Sequence, residues 1–354
     1  MLQGGGALGA YQLGVYEALH EAGLEPDWVV GTSIGAINGA LIAGNAPGQR
    51  LERLREFWQL IARQGPADGW GQVLSNWGTL TQGIPGFFTP GPGSLYGPQA
   101  RLGLDRAAYY STAPLRETLG RLVDFLHLQA GGQTRLTVGC VSARHGAMRY
   151  FDSRDEALRP EHIMASGALP PAFPAVRIEG EPYWDGGIYS NTPLECVLDD
   201  NPRRDSTIFS VHLWDPEGPE PESLWEVGNR QKDIQYASRI DSHLQRQQQI
   251  HHLRHIIREL GRQLPAEQRR RPEVRALTAW GCGTQMHVLR LMAPRLPRED
   301  QTKDMDFRAA SVAARSRAGL EDTRAALAAR PWLAPQDPSE GVHVHDCQGL
   351  ARQP

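Results

Sequence analysis

Between residues 28 and 43 a β-rich triplet, Trp28-Val29-Val30, runs through Gly31-Thr32-Ser33-Ile34-Gly35 into a small, mostly apolar segment from Ala36 to Ala43. A strand that turns into a helix through a serine between two glycines admits few folds. The helix must pass close to the strand it leaves, so the flanking positions must be small, and the turning residue sits in strained backbone. A helix this apolar needs cover on most sides. Strand–helix alternation of this kind belongs to an α/β fold with a parallel sheet. Chemically, the turn presents a serine hydroxyl at a helix N-terminus, where developing negative charge is favoured. Taken alone, the five residues also fit a tight turn capped by Thr32 or Ser33.

Upstream lies Gly4-Gly5-Gly6-Ala7-Leu8-Gly9, followed by a helical pattern from Ala10 to Ala22 (Leu13, Val15, Tyr16, Ala18, Leu19) with Gly23 as its stop. Such a loop can converge backbone N–H groups on an anion, which suits an oxyanion hole for acyl transfer. Gly4, Gly6 and Gly9 also fit a dinucleotide fingerprint, with Asp27 as its acid, but that leaves Ser33 unexplained. A tight turn is the third reading. Met1-Leu2-Gln3 leaves almost no strand before the loop. Either the strand is very short or the true start lies upstream of this Met1.

Residues 50–63 form an amphipathic helix pattern (Leu51, Leu54, Phe57, Trp58, Ile61). The stretch 64–106 is rich in Gly, Pro, Trp and Phe, and irregular structure serving as a lid or substrate wall is expected. A helix is expected over 115–128, strands over 136–141 and 148–151, and a short helix over 161–168. A hairpin over 177–184 turns at Gly180, and a strand covers 208–213. Beyond the Pro- and acid-rich residues 215–222, one long helix is expected over 224–260. A late strand over 286–292, a helix over 304–329 and a loose tail after Pro331 complete the reading.

The hairpin delivers Asp185-Gly186-Gly187. A carboxylate at a strand end, with glycines admitting close backbone, can act as base toward a serine; an Asp-Gly turn is the bland alternative. The ordered set resembles the patatin-like phospholipase family: the loop Gly4, Gly5, Gly6, Ala7 and Gly9, then the elbow Gly31–Ser33–Gly35, then Asp185-Gly186-Gly187. Ala165-Ser166-Gly167-Ala168-Leu169-Pro170-Pro171-Ala172-Phe173-Pro174 and Asn191-Thr192-Pro193 also look like the family. The resemblance covers residues 1–215. It implies an α/β fold, a three-layer patatin-like sandwich that modifies the α/β-hydrolase plan, with Ser33 as nucleophile, Asp185 as base and no catalytic histidine. It implies oxyanion donors around Gly5, Gly6 and Ala7, and no cofactor or metal. Leu8, Ile34, Phe173 and the 64–106 aromatics are expected to provide an apolar wall for an acyl chain. Many relatives carry Lys or Arg where this loop has Ala7-Leu8, which weakens the case for a phosphate-bearing substrate. The C-terminal third, with His287-Val288-Leu289-Arg290-Leu291 and Lys303-Asp304-Met305-Asp306-Phe307, looks like an extension found in a bacterial subgroup.

Among histidines, His145 and His162 lie in the catalytic half, and His212 follows the acid as a triad would require; the triad is the minor reading. His251 and His255 form an i, i+4 pair, but no H-E-x-x-H acid accompanies them, and a solvated helix face is expected. Cys140, Cys196, Cys282 and Cys347 match no disulfide or metal spacing, so reduced thiols in a cytoplasmic protein are expected. The net charge of −3 calls for no nucleic acid. No run reaches the ~18 apolar residues of a membrane span, and no leader is evident. Seven arginines between 254 and 275 suit a charged solvated face first, then a peripheral dock for anionic lipid at the inner membrane face. The expectation is therefore a serine esterase acting in lipid degradation. A hydrolase domain over 1–215 is followed by a mainly helical extension over 216–330, packed on the core, and a loose tail over 331–354. Its substrate is a lipid or ester. A catalytically silent lipid-binding or scaffold protein of the same fold is the alternative.

Overall fold

The computed structural model describes residues 1–63, 82–91, 93–96, 99–129, 133–237, 240–297, 299–337 and 339–350. In chain order its main elements are α1 (Ala10–Glu21), β1 (Trp28–Thr32), α2 (Ile34–Ala43), α3 (Pro47–Ile61), α4 (Ala113–Leu122), β2 (Arg135–Ser142), β3 (Met148–Asp152) and α5 (Pro160–Ser166). There follow β4 (Val176–Ile178), β5 (Glu181–Asp185), β6 (Ser206–His212), α6 (Leu224–Ala237), α7 (Ile240–Gln263), β7 (Met286–Met292), α8 (Ala309–Ala329) and β8 (Val342–Asp346). The fold is α/β with helices packed on the sheet, as expected, but the sheet is mixed instead of parallel: β3 and β5 run antiparallel to β2.

Two strand groups meet through three residues. Leu2 bridges in parallel to both Gly31 of β1 and Val211 of β6. The Leu2 amide donates to the Val30 carbonyl at 2.8 Å, and the Gln3 amide to that of Val211 at 3.2 Å. Of the residues before the glycine loop, Leu2 forms a single rung between β1 and β6. On one side stand β6, β7 and β8, all parallel; on the other, β1 pairs with β2 in parallel.

Along β2, one edge carries β3. The other edge carries β1 as far as Gly139, where Thr32 pairs, and then β5 from Cys140 onward, where Asp185 pairs. β1 and the antiparallel β5 therefore meet end to end against β2. The core is continuous from Tyr11 and Ile37 through Phe57, Trp58, Leu136 and Val138 to Leu289 and Phe307. Its apolar burial, at ~25 cal/mol per Å², is the main force holding the layers together.

Several expected elements are corrected. The helix expected over 115–128 is α4 and a separate turn of helix, Phe125–Gln129, because Val123 leaves helical backbone. The long helix expected over 224–260 is two, α6 and α7, with residues 238 and 239 between them outside the described set. The helix expected from 304 begins at Ala309, behind a short turn at Lys303–Met305. The tail after 331 is not loose through 342–346: β8 pairs with β7, and Val342 is buried. The extension also contributes β7 to the sheet, and α8 lies against α1, with the Tyr11 hydroxyl donating to Asp322 and Arg324 paired with Glu21.

Candidate active site

The elbow follows from sterics. Gly35 comes so close to the Leu2 carbonyl that a Cβ there would lie 2.1 Å from its oxygen. Between the strand and α2, Ser33 takes φ 56° and ψ −125°, a left-handed setting that costs a non-glycine residue roughly 1–3 kcal/mol. The surroundings hold it there. The Ser33 amide donates to the Ser166 hydroxyl at 2.9 Å, and that hydroxyl donates to the Gly139 carbonyl at 2.7 Å. Ser166 thus ties the elbow to β2 exactly one residue from where Asp185 pairs. The Asp185 amide donates to the Ala168 carbonyl at 3.0 Å. The end of α5 therefore supports both residues, which gives the 165–174 segment its structural purpose.

Asp185 is 3 % exposed. Its carboxylate accepts from the Gly187 amide at 2.7 Å and opens onto the same cavity as Ser33. Burial pushes its pKa up to about 7, against the opposing pull of the Gly187 amide and the nearby Ser33 hydroxyl. A carboxyl in that range is a competent proton acceptor near neutrality, where an ordinary aspartate is a poor one.

The glycine loop crosses the same end of the sheet. The Gly4 amide donates to Asn191 Oδ1 at 3.1 Å, and Asn191 Nδ2 donates to the Gly4 carbonyl at 3.1 Å. Trp214 Nε1 donates to the same carbonyl at 2.8 Å. Among the described residues no acceptor meets the Gly5 or Gly6 amide. Gly6, at φ +54°, is pressed against the Asp304 carbonyl, where a Cβ would lie 2.3 Å away. Ala7 and Gly9 are buried in the short turn that leads into α1 and do not line the cavity.

Ser33, Asp185, Gly4, Gly5, Gly6, Gly187 and Asn191 open onto one cavity of about 170 Å³. Its apolar wall is built from Ile34, Ile37, Phe87, Phe88, Tyr110 and Phe173 together with Trp214, Tyr236, Met305 and Phe307, the Phe87 and Phe307 rings meeting edge to face at 5.9 Å. Ile34, Phe173 and part of the 64–106 stretch supply wall as expected; residues 64–81 lie outside the described set. Leu8, expected in the wall, is buried in the core instead. Sequence reasoning missed Trp214 and Tyr236 as site residues. It met Ser166, Asn191, Met305 and Phe307 only as family cues.

None of the weighed histidines lines the cavity. His145 is exposed, and His162 is buried with Nδ1 accepting from the Arg159 amide at 2.9 Å. His212 bonds Ser210 at 3.0 Å, and burial lowers its pKa to about 3, so it stays neutral. His251 and His255 are not on a solvated face. Both are buried, each with Nε2 at 3.0 Å from a backbone carbonyl, of Leu198 and Thr284 respectively. The described residues hold no cluster of His, Cys, Asp or Glu suited to a metal. The four cysteines are unpaired.

A family model described as Patatin-like phospholipase matches residues 1–198 of the 354, and one described as Patatin phospholipase matches 234–339. Lysophospholipase nte1 of Aspergillus terreus is 59% identical over 46 residues, 13% of this chain and 3% of that protein. Patatin-like phospholipase domain-containing protein 6 of Homo sapiens is 45% identical over 58 residues, 16% of this chain and 4% of that protein. The chain thus spans 3–4% of the length of these relatives. Among solved structures, VipD from Legionella pneumophila aligns with a TM-score of 0.38 at 14% identity, over 93% of this chain and 66% of that one.

Proposed function

From the premise that the chain belongs to the patatin-like phospholipase family, we propose that it is a serine acyl hydrolase that cleaves carboxylic esters of lipids, with Ser33 as nucleophile and Asp185 as general base. The observation that carries this reading is the Asp185 carboxyl, buried beside the Ser33 elbow where Thr32 and Asp185 pair adjacent residues of β2, with both side chains on one cavity; burial raises its pKa to about 7. Asp185 takes the hydroxyl proton as Ser33 Oγ attacks the ester carbonyl. The oxyanion forms against the loop amides at Gly5 and Gly6 and the N-terminus of α2. Asp185 returns the proton to the departing alcohol. Water, deprotonated by the same carboxylate, then cleaves the acyl-enzyme and restores Ser33.

The apolar wall suits an acyl chain, and no step needs a metal or organic cofactor. The name of the fungal relative makes lysophospholipids the first class to screen. No helix of the described residues is long and apolar enough to cross a membrane. Peripheral contact with anionic lipid through residues 254–275 is part of this proposal, supported by exposed Arg258, Arg262, Arg269, Arg270, Arg271 and Arg275. Arg254 bonds back to the core: its carbonyl accepts from the Cys282 amide, and its guanidinium pairs with Asp199 at 3.4 Å. Because Cys282 and Thr284 precede β7, this stretch lies toward the amino ends of the parallel strands, whereas Ser33 lies at their carboxyl ends. A membrane held there tethers the protein without delivering lipid straight to the cavity.

The test is fluorophosphonate labelling with intact-mass localisation. Wild type should label at Ser33, Ser33→Ala should not label, and Asp185→Asn should label far more slowly. Unlabelled but folded wild type would remove the catalytic reading in favour of lipid binding.

A further inference from the structure

Part of the cavity wall comes from residues 214–307, and one of them touches the loop that bears the unpaired amides. The Trp214 indole is 2 % exposed. Its Nε1 donates to the Gly4 carbonyl at 2.8 Å, and Asn191 Nδ2 donates to the same oxygen at 3.1 Å. A trans peptide is planar, with its C=O and N–H pointing in opposite directions. Two donors fixing the Gly4 carbonyl on one side therefore fix the Gly5 N–H toward the other side. Gly5 lines the cavity there, beside Ser33 and Asp185.

The indole is in turn held by the C-terminal segment. The Tyr236 ring stacks on it with centroids 4.9 Å apart at 28°, and Lys303 Nζ lies 5.4 Å from the ring centroid. Lys303 is buried and paired at 2.5 Å with Asp233, itself 1 % exposed and reached also by Arg295 at 3.3 Å. The next residue, Asp304, packs its carbonyl on Gly6 and pairs with Lys232 at 2.7 Å. An ion pair this buried is a poor stabiliser but a strict positioner, because leaving either charge alone is costly. The Trp214 contact with Gly4 and the Asp304 contact with Gly6 thus each rest on a charged anchor.

We propose that Trp214 is the positioning residue that aims the Gly5 amide at the developing oxyanion, and that residues 233–304 act on catalysis by holding that indole in place. The inference rests on the serine hydrolase reading above. It makes the extension part of the reaction machinery, where a merely packed extension would leave the rate alone. The amide of Gly5 stays in Trp214→Phe and only its aim loosens. The loss should therefore approach, without exceeding, the 10²–10³-fold cost of deleting one oxyanion donor.

The experiment compares wild type, Trp214→Phe and Asn191→Leu on a soluble short-chain p-nitrophenyl ester, with thermal melts to confirm folding. Phe keeps the ring between Tyr236 and Lys303 and removes only the N–H donor. In Trp214→Phe, kcat should fall about 10–100-fold with KM within about twofold. Inhibition by an alkyl trifluoromethyl ketone, which places a tetrahedral oxyanion on the serine, should weaken in the same proportion. Asn191→Leu removes the second donor and should show the same signature, which keeps the inference open to test if Trp214→Phe does not fold. Unchanged kcat in either folded variant would overturn the inference and leave the hydrolase reading standing. So would a rise in KM alone, which would make the indole a plain acyl wall. Wild type that neither hydrolyses the ester nor labels at Ser33 would overturn both.

Discussion

The two ends of the parallel strands are built on opposite principles. At the carboxyl ends, polar groups are few, buried and individually committed: Ser33 strained, Asp185 sealed at 3 % exposure, and Lys303 locked to Asp233. At the amino ends, the arginines of 258–275 are numerous and exposed, and their contacts are loose, as with Arg262 and Glu259 at 3.8 Å. The contrast teaches that the density of charge along the chain is a poor guide to where charge acts. Water screens the crowded end, so each pair there contributes little. The sparse end excludes water, and single groups there decide stability and chemistry.

The contrast is broken most severely at the elbow. Asp185→Asn should lower kcat/KM on a soluble ester by about 10²–10⁴-fold, because the proton acceptor is lost; a steady-state assay reads it, and a loss under tenfold would remove Asp185 as base. Next comes the buried pair. Lys303→Met leaves Asp233 with only the Arg295 contact and should destabilise by about 3–5 kcal/mol in urea unfolding. A loss under 1 kcal/mol would show that water reaches Asp233.

Third, Asp185→Asn should gain stability even as it loses activity. The native carboxyl binds its proton up to about pH 7, whereas the unfolded one releases it near pH 3.9. Native protein therefore holds more protons across that window, and its stability falls as pH rises from about 4 to about 7. The variant should escape that loss and exceed wild type at pH 8 by about 2–4 kcal/mol, with the difference gone below pH 4. The same titration should give wild-type kcat/KM an ascending limb with an apparent pKa about 7. At the bottom of the scale, replacing Arg269, Arg270 and Arg271 together by Glu should shift stability by only about 0.5 kcal/mol per site. It should leave soluble-ester hydrolysis unchanged. Sedimentation with phosphatidylserine vesicles then decides whether the stretch meets lipid at all.

Much of the carboxyl end was legible because its constraints are local. Strain at Ser33 demands glycine neighbours, and a carboxylate beside close-packed backbone demands Gly186 and Gly187, so each leaves a spaced pattern. Phe87, Phe88 and Phe173 announced themselves as apolar excess. Trp214 and Tyr236 left no such mark, since they act through long-range contacts that any sequence window misses, and Ser166 stood out only as part of the 165–174 family segment. The burial of His251 and His255 was hidden for a similar reason: α7 looks polar, and only the carbonyls of Leu198 and Thr284, supplied from elsewhere, make burial tolerable. β8 was missed because its pairing partner lies more than fifty residues upstream, with few apolar residues of its own to advertise it.

The end-to-end meeting of β1 and β5 against β2 has a consequence for tolerance. Strand register is quantised: a slip moves a residue by about 3.3 Å and turns its side chain to the opposite face. A hydrogen bond survives displacements of only a few tenths of an ångström. Ser33 and Asp185 meet across a gap set by two registers on adjacent residues of β2, Thr32 on Gly139 and Asp185 on Cys140. A slip of register therefore breaks their alignment outright. A lesion that lets β2 slip divides a preparation into molecules that are aligned and molecules that are not, so residual activity in such a variant counts molecules instead of measuring how fast each one works.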